Sequence, residues 1–399
     1  MLTSLALIFL VGLSLAAIVY RLKLPRIIGM LVTGIVLGPY VLDFLDPSIL
    51  GISADLRKMA LIIILIKAGL SLDLHSLKRV GRPALMMSFV PATFEMCAVI
   101  VLAPFFLGIT HGEAAIMGAV LSAVSPAVVV PRMVQLMEES YGTKKSIPQM
   151  LLAGSSLDDV YVIVLFTTFV SIEQGGQANV MDFVNIPVSI VLGILLGAVV
   201  GMFLAWFFET NYVRQHYVRN SMKVIVVLGV SFLLVAVEDW LEGIVSISGL
   251  LAVMSMALVL ASRSVPSVAD RLRQKFGKLW LAAEVILFVL VGAAVDIRYT
   301  VSAGLGAVAL ILSALVIRSC GVWLCMVGTD LTMKERVYCM IAYLPKATIQ
   351  AAIGSVPLAL GLPCGKLVLS VAVLAILITA PLGAIGMDWT YKKLLHHDV

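Results

Sequence analysis

Thirteen predominantly apolar stretches, most of them near twenty residues long, follow one another from one end of this chain to the other. A bilayer hydrocarbon core about 30 Å thick takes about 20 residues of helix to cross. The pattern therefore predicts an all-α polytopic membrane protein with about 13 transmembrane helices. The spans run near 2–20, 25–42, 54–72, 82–107, 113–137, 147–171, 183–208, 220–238, 241–262, 278–296, 301–327, 334–360 and 366–388. Composition agrees, with 61% of residues hydrophobic and 13% charged, whereas soluble domains carry roughly a quarter charged. Residues 1–399 read as one transmembrane unit with no soluble domain between spans. Met1 to Tyr20 lacks a positive n-region and reads as a retained first span.

Several chemistries are excluded early. No basic stripe with interleaved aromatics is present, which excludes nucleic acid as a partner. The five cysteines lack metal-ligand spacing and read as packing residues. His75, His111, His216, His396 and His397 fall in loops or near the C-terminus, so neither a zinc site nor any other cofactor is expected.

Lysine and arginine give orientation. Loops after odd-numbered spans and the C-terminal tail hold most of the 28 basic residues, among them Arg21, Lys78, Arg132, Arg219, Arg271 and Lys392. Loops after even-numbered spans hold Arg57, Lys58, Arg298 and Lys366. The positive-inside rule then puts the N-terminus outside and the C-terminus in the cytoplasm of a cell membrane, the inner membrane if the source is bacterial. Three basic residues remain at membrane depth: Lys67, Arg318 and Lys346.

An internal repeat is visible. Ile64–Leu74 (ILIKAGLSLDL) resembles Leu287–Ile297 (LFVLVGAAVDI), with Gly69 over Gly292 and Asp73 over Asp296, an offset of 223 residues. Ile28-Gly29-Met30-Leu31 matches Ser248-Gly249-Leu250-Leu251 at an offset of 220. The third span thus matches the tenth and the second the ninth, a displacement of seven spans that inverts the second copy. The expected architecture is two inverted six-helix repeats, 1–171 and 220–388, joined by a linking helix at 183–208. Inverted repeats and midplane sites mark secondary transporters.

Charged groups at bilayer depth are costly and face a partner or a cavity. The acidic ones are Glu95, Asp158, Asp159 and Glu284, and structural ion pairing would account for any one of them alone. Asp158 and Asp159 lie midway along the sixth span and point about 100° apart on one helix. Crowding two carboxylates out of water favours a proton on at least one of them. Such a carboxylate holds a proton or a small hard cation in turn. LSAVSPAVVVP, with Pro126 and Pro131, and YLPKATIQAAIGSVP, with Pro345, Gly354 and Pro357, predict two discontinuous helices. Pro126 and Pro345 are 219 residues apart, so the breaks occupy equivalent places in the two repeats. Lys346 is expected to offset the negative ends of the half-helices. Glu95 and Arg318 are expected to form an ion pair between repeats, with Arg318 a permanent cation. Glu284 is placed at an ion entrance, and Lys67 snorkels.

The segments LSAVSPAVVVP, GTKKSIPQMLLAGSSLDDV and AYLPKATIQAAIG together resemble the NHA branch of the sodium/proton exchangers, within the monovalent cation:proton antiporter superfamily. The likeness covers nearly the whole chain, beginning at PRIIGMLVTGIVLGP. It implies a dimerisation scaffold and a mobile core, here near 82–171 and 301–388, that moves as an elevator. By the same resemblance, Asp159 is the essential cation and proton ligand, with Asp158 beside it. Ser125, Pro126, Pro345 and Lys346 line the crossing, and Glu95 with Arg318 forms the interhelical salt bridge. Electrogenic relatives with paired aspartates carry a lysine where Arg318 stands, whereas electroneutral members combine Asn-Asp with arginine. This chain mixes the two patterns.

The expected function is therefore antiport of Na⁺ or Li⁺ against H⁺ by a homodimer, not enzymatic catalysis. K⁺/H⁺ exchange is the near alternative. A sodium-coupled organic-anion symporter would want more intramembrane amides than Gln350 supplies. An intramembrane aspartyl protease needs its two aspartates on different helices, and these are neighbours.

Overall fold

The computed structural model describes residues 1–71, 81–175, 180–215, 220–241 and 247–398. Asp73, His75, Lys78, His216 and Arg219 lie outside them. Helices account for nearly all of the described chain. In order they are α1 (Leu2–Arg21), α2 (Arg26–Leu37), α3 (Pro47–Gly51), α4 (Ser53–Ser71), α5 (Arg82–Met87), α6 (Val90–Leu107), α7 (His111–Ser122), α8 (Pro126–Glu138) and α9 (Ile147–Gly175). There follow α10 (Val180–Gln215), α11 (Asn220–Trp240), α12 (Gly249–Arg263), α13 (Pro266–Ala293), α14 (Ile297–Cys325), α15 (Met333–Ala342), α16 (Thr348–Ile353), α17 (Val356–Ala359) and α18 (Gly365–Leu394). Among the described residues, seven stretches are long and apolar enough to cross a bilayer by themselves, and shorter apolar helices accompany them. Large apolar side chains such as Leu305, Phe105 and Trp389 are exposed, as they must be where lipid is the solvent.

Three boundaries differ from the sequence reading. The stretch 82–107 is two helices, because the chain leaves the helical path at Ser88-Phe89 between α5 and α6. Helix α13 begins at Pro266, where Pro at the first turn starts a helix at no hydrogen-bonding cost. Its early turns bury Ala269, Leu272 and Phe276 and expose Arg271, Gln274 and Lys278, an amphipathic lead-in that a hydropathy window misses. Position 131 falls inside the continuous helix α8, so only Pro126 marks a break there.

The chain separates into two compact units. The first comprises Met1–Ala54, Asp73–Gln174 and Val285–Val399; the second comprises Asp55–Leu72 and Gly175–Glu284. In the second unit α10 packs along α12 through Gly193, Gly197 and Gly201. A Cβ on each would meet a backbone carbonyl, of Ser248, Ala252 and Met256 respectively. Both series advance by four residues, the small-residue stripe that lets two membrane helices approach closely. In the first unit α6 packs between α7 and α14, and α18 runs beside α7, α8, α14, α15, α16 and α17.

The segment after α18 latches onto the loop between α8 and α9. Gly142 N–H donates to His396 O (2.9 Å) and Asp398 N–H to Ser140 O (2.8 Å). The Asp398 carboxylate accepts from Lys144 N–H (2.7 Å) and the Thr143 hydroxyl (3.1 Å). The Lys144 N–H bond, and then the Thr143 hydroxyl, hold its pKa below the usual carboxylate range. A depressed carboxylate stabilises the latch above its unfolded pKa and loses that contribution as pH falls through the folded one.

Two outcomes follow. Gly197→Val should drive a side chain into Ala252 O and destabilise the second unit by about 1–3 kcal/mol, read as a lower thermal midpoint in detergent. Asp398→Asn should speed hydrogen exchange at Gly142 about 3- to 10-fold, the worth of one hydrogen bond.

Candidate functional site

Two helices of the first unit are interrupted. After α7 the backbone turns extended at Ala123 (φ −72°, ψ 142°) and resumes as α8 at Pro126. After α15 it leaves the helix at Tyr343 and resumes as α16 at Thr348. Each interruption frees backbone groups that need partners in a dry interior. Ser125 N–H donates to Pro345 O (2.8 Å), which ties one break to the other. Val124 N–H donates to Asp158 Oδ2 (2.8 Å), and Lys346 N–H to Thr379 Oγ1 (3.0 Å). Both acceptors lie in the middle of long helices, α9 and α18.

The carbonyls at the end of α7 are capped by side chains. Lys346 Nζ donates to Leu121 O, Arg318 Nη1 to Ser122 O, and Gln350 Nε2 to Ala123 O (2.7 Å). Two of these donors are cations at the negative end of a half-helix, the favourable arrangement for its dipole. The expected role of Lys346 thus takes definite form: it caps α7.

Glu95 from α6 completes the arrangement. Arg318 Nη1 lies 2.7 Å from Glu95 Oε2, and Lys346 Nζ lies 2.7 Å from each Glu95 oxygen. The predicted pair is therefore a triad. Arg318 also donates from Nε to Tyr343 O (2.8 Å) and from Nη2 to Asp158 Oδ2 (3.3 Å). Glu95, Asp158, Arg318 and Lys346 are all at most 1% exposed. Removing one member of such a group leaves a buried charge uncompensated.

A second set of atoms has no protein partner. Asp159 Oδ1, Asp158 Oδ1, Ser125 Oγ, Thr348 Oγ1, Gln350 Oε1 and Tyr343 Oη are buried with no hydrogen bond. Asp159 is 5% exposed, and among the described residues it forms no ion pair. Asp158 has divided its oxygens: Oδ2 serves Val124 N–H and Arg318, and Oδ1 is unoccupied. Buried polar atoms without a protein partner are uncommon, which sets this place apart from the rest of the interior. Glu284 belongs to the second unit, within electrostatic reach of Lys67, whose Nζ stands 5.8 Å from the Trp280 ring centroid. Sequence reasoning gave Gln350, Thr379 and Tyr343 no site role; the one legible signal was that Gln350 is a rare intramembrane amide.

The model described as "Sodium/hydrogen exchanger, transmembrane" matches residues 5–393. The chain belongs to the sodium/hydrogen exchanger family. Human sodium/hydrogen exchanger 9B2 is 34% identical over 385 residues, which span 93% of this chain and 70% of that protein. Human sodium/hydrogen exchanger 9B1 is 34% identical over 394 residues, covering 94% and 74%. The sodium proton antiporter MjNhaP1 from Methanocaldococcus jannaschii has the same fold, with a TM-score of 0.84 at 22% identity over 98% of both chains. Family membership places this chain among multi-pass membrane transporters rather than enzymes.

Glu95→Ala should leave Arg318 and Lys346 without their shared carboxylate. The expected cost is about 3–5 kcal/mol, measured by thermal unfolding in detergent, with Glu95→Gln losing less because an amide still accepts.

Proposed function

We propose that this exchanger carries Na⁺ or Li⁺ in one direction and H⁺ in the other, at a single site centred on Asp159. The observation that carries the reading is the cluster of partnerless oxygens Asp159 Oδ1, Asp158 Oδ1 and Ser125 Oγ on the elements that meet at the two breaks. Hard oxygens of this kind suit a small cation. A carboxylate that accepts a proton gives up its claim on the cation, so the two substrates alternate. The names of the relatives, sodium/hydrogen exchangers 9B1 and 9B2, favour the same pair of ions.

Charge bookkeeping sharpens the stoichiometry. Glu95 and Asp158 pair with Arg318 and Lys346, and Asp159 adds one uncompensated negative charge when all are ionised. One monovalent cation or one proton brings the cluster to neutrality, the least costly state in a low dielectric. The reading is thus one cation for one proton, with no net charge moved.

The inverted-repeat architecture, about 13 spans with two crossing discontinuous helices, is supported by three correspondences. The capping boxes Thr110–Glu113 and Thr332–Glu335 open α7 and α15. Their displacement is within one residue of the 223 that separates Glu95 from Arg318. Gly69 is set against Met254 O and Gly292 against Leu31 O, and a shift of 223 residues, the same as in Glu95–Arg318, converts one contact into the other. Lys346 N–H on Thr379 and Val124 N–H on Asp158 form a third matched pair. The core helices named from sequence, near 82–171 and 301–388, lie within the first unit, and their cross-braced breaks suit a rigid carriage for elevator-type alternating access. Our reading keeps a homodimer, with the N-terminus outside and the C-terminus cytoplasmic.

Asp159→Asn should cut Na⁺-driven proton movement in proteoliposomes by ~100-fold or more, the equivalent of about 3 kcal/mol at the site, while the protein still inserts. Exchange that survives this change would overturn the assignment. Clamping the membrane potential should leave the wild-type rate unchanged, and a K⁺ gradient that drives exchange better than Na⁺ would move the substrate to K⁺.

A further inference from the structure

Three consecutive carbonyls at the first break accept from three different side chains of the second half of the chain. Lys346 takes Leu121 O, Arg318 takes Ser122 O and Gln350 takes Ala123 O. The first two donors are cations engaged with Glu95. The third is neutral, fully buried and outside that ion-pair network. Two carbonyls face the Gln350 nitrogen, Ala123 O at 2.7 Å and Leu121 O at 3.5 Å. The amide is therefore oriented, because turning it over would set oxygen against oxygen. Gln350 Oε1 is left buried with no partner.

The position matters as much as the bond. Ala123 immediately precedes Val124, whose N–H holds Asp158, and lies two residues from Ser125, whose hydroxyl is unpartnered. Helix α16, which carries Gln350, has no side-chain N-cap. The amide is thus a brace across the crossing, attached beside the proposed cation ligands.

We infer that Gln350 is a selectivity-determining positioning residue, which holds the Ala123–Val124 peptide by its carbonyl while the N–H of the same planar unit holds Asp158. This rests on the cation-site reading above. Preference among monovalent cations depends on how many oxygens surround the ion and how stiffly they are held. Without the amide that peptide is held at one end alone, Asp158 is positioned less stiffly, and the looser shell favours a larger ion.

An amide meets this demand where charged groups do not. Lysine or arginine at 350 would add a third cation to a cluster of three carboxylates and two bases. A carboxylate there would face two carbonyl oxygens and could donate only when protonated. The charged groups around the bond are Lys346 and Arg318 on the neighbouring carbonyls, Glu95 between them, and Asp158 on Val124 N–H.

The test uses the full chain in proteoliposomes, with Na⁺, Li⁺ and K⁺ gradients, for wild type, Gln350→Leu, Gln350→Glu and Asp159→Asn. Gln350→Leu should raise the apparent KM for Na⁺ about 3- to 10-fold, the worth of one hydrogen bond, and narrow the Na⁺/K⁺ preference by a similar factor. The maximal rate with the best cation should change less than about twofold. Gln350→Glu should keep the wild-type preference at acid pH, where its carboxyl still donates to Ala123 O, and take on the leucine variant's preference at alkaline pH. Should the leucine variant fail to insert, the glutamate series decides alone. Cation preferences that stay at wild-type values in the variants, a glutamate variant whose preference ignores pH, or one inactive at every pH would each overturn the inference. Asp159→Asn separates the two readings: activity there sinks the cation site itself, whereas an inactive Asp159→Asn beside unchanged Gln350 preferences sinks only the role of Gln350.

Discussion

A single carboxylate holds the centre of this protein together. Glu95, on an unbroken helix, binds Arg318 and Lys346 at once, and those two cations cap the carbonyls left open where α7 stops. A broken helix in a dry interior exposes polar backbone that lipid cannot satisfy, and a buried cation without a counterion costs several kcal/mol. Each problem solves the other. The break supplies acceptors for the cations, the cations cap the break, and Glu95 with Asp158 balances their charge. Ser125 N–H on Pro345 O, and Gln350 on Ala123 O, bind the two interruptions to each other as well.

Apolar run length revealed the helical membrane class because bilayer thickness is a one-dimensional constraint written directly in sequence. The buried charges stood out for the same reason: once the loops are assigned, Glu95, Asp158, Arg318 and Lys346 remain at depth. What sequence reading missed was local in space and distant along the chain. That Lys346 shares Glu95 with Arg318 depends on two rotamers reaching across three helices. The break at Ser88-Phe89 is followed by Pro91 at the second position of α6, a signal that the long apolar run of 82–107 overrode. The paired T-x-x-E capping boxes at Thr110 and Thr332 were readable, since capping boxes have a fixed local signature, but they are short and inconspicuous among apolar spans.

The partnerless oxygens acquire meaning from that frame. In most interiors a buried acceptor without a donor is an expense to be avoided. Here Asp158, Asp159 and Ser125 keep such oxygens, as do Thr348, Gln350 and Tyr343, while the charged atoms of Glu95, Arg318 and Lys346 are engaged with one another. The braces around them fix the backbone on which these oxygens sit, so the protein itself holds them in place.

Thr379 shows what the aspartate is not required for. It accepts Lys346 N–H with a hydroxyl, as Asp158 accepts Val124 N–H with a carboxylate. A break of this shape is therefore held as well by a neutral oxygen as by a charged one. The negative charge at position 158 answers a different partner, the Arg318 guanidinium 3.3 Å away, so the aspartate joins one break to the buried ion pairs, which a threonine could not do.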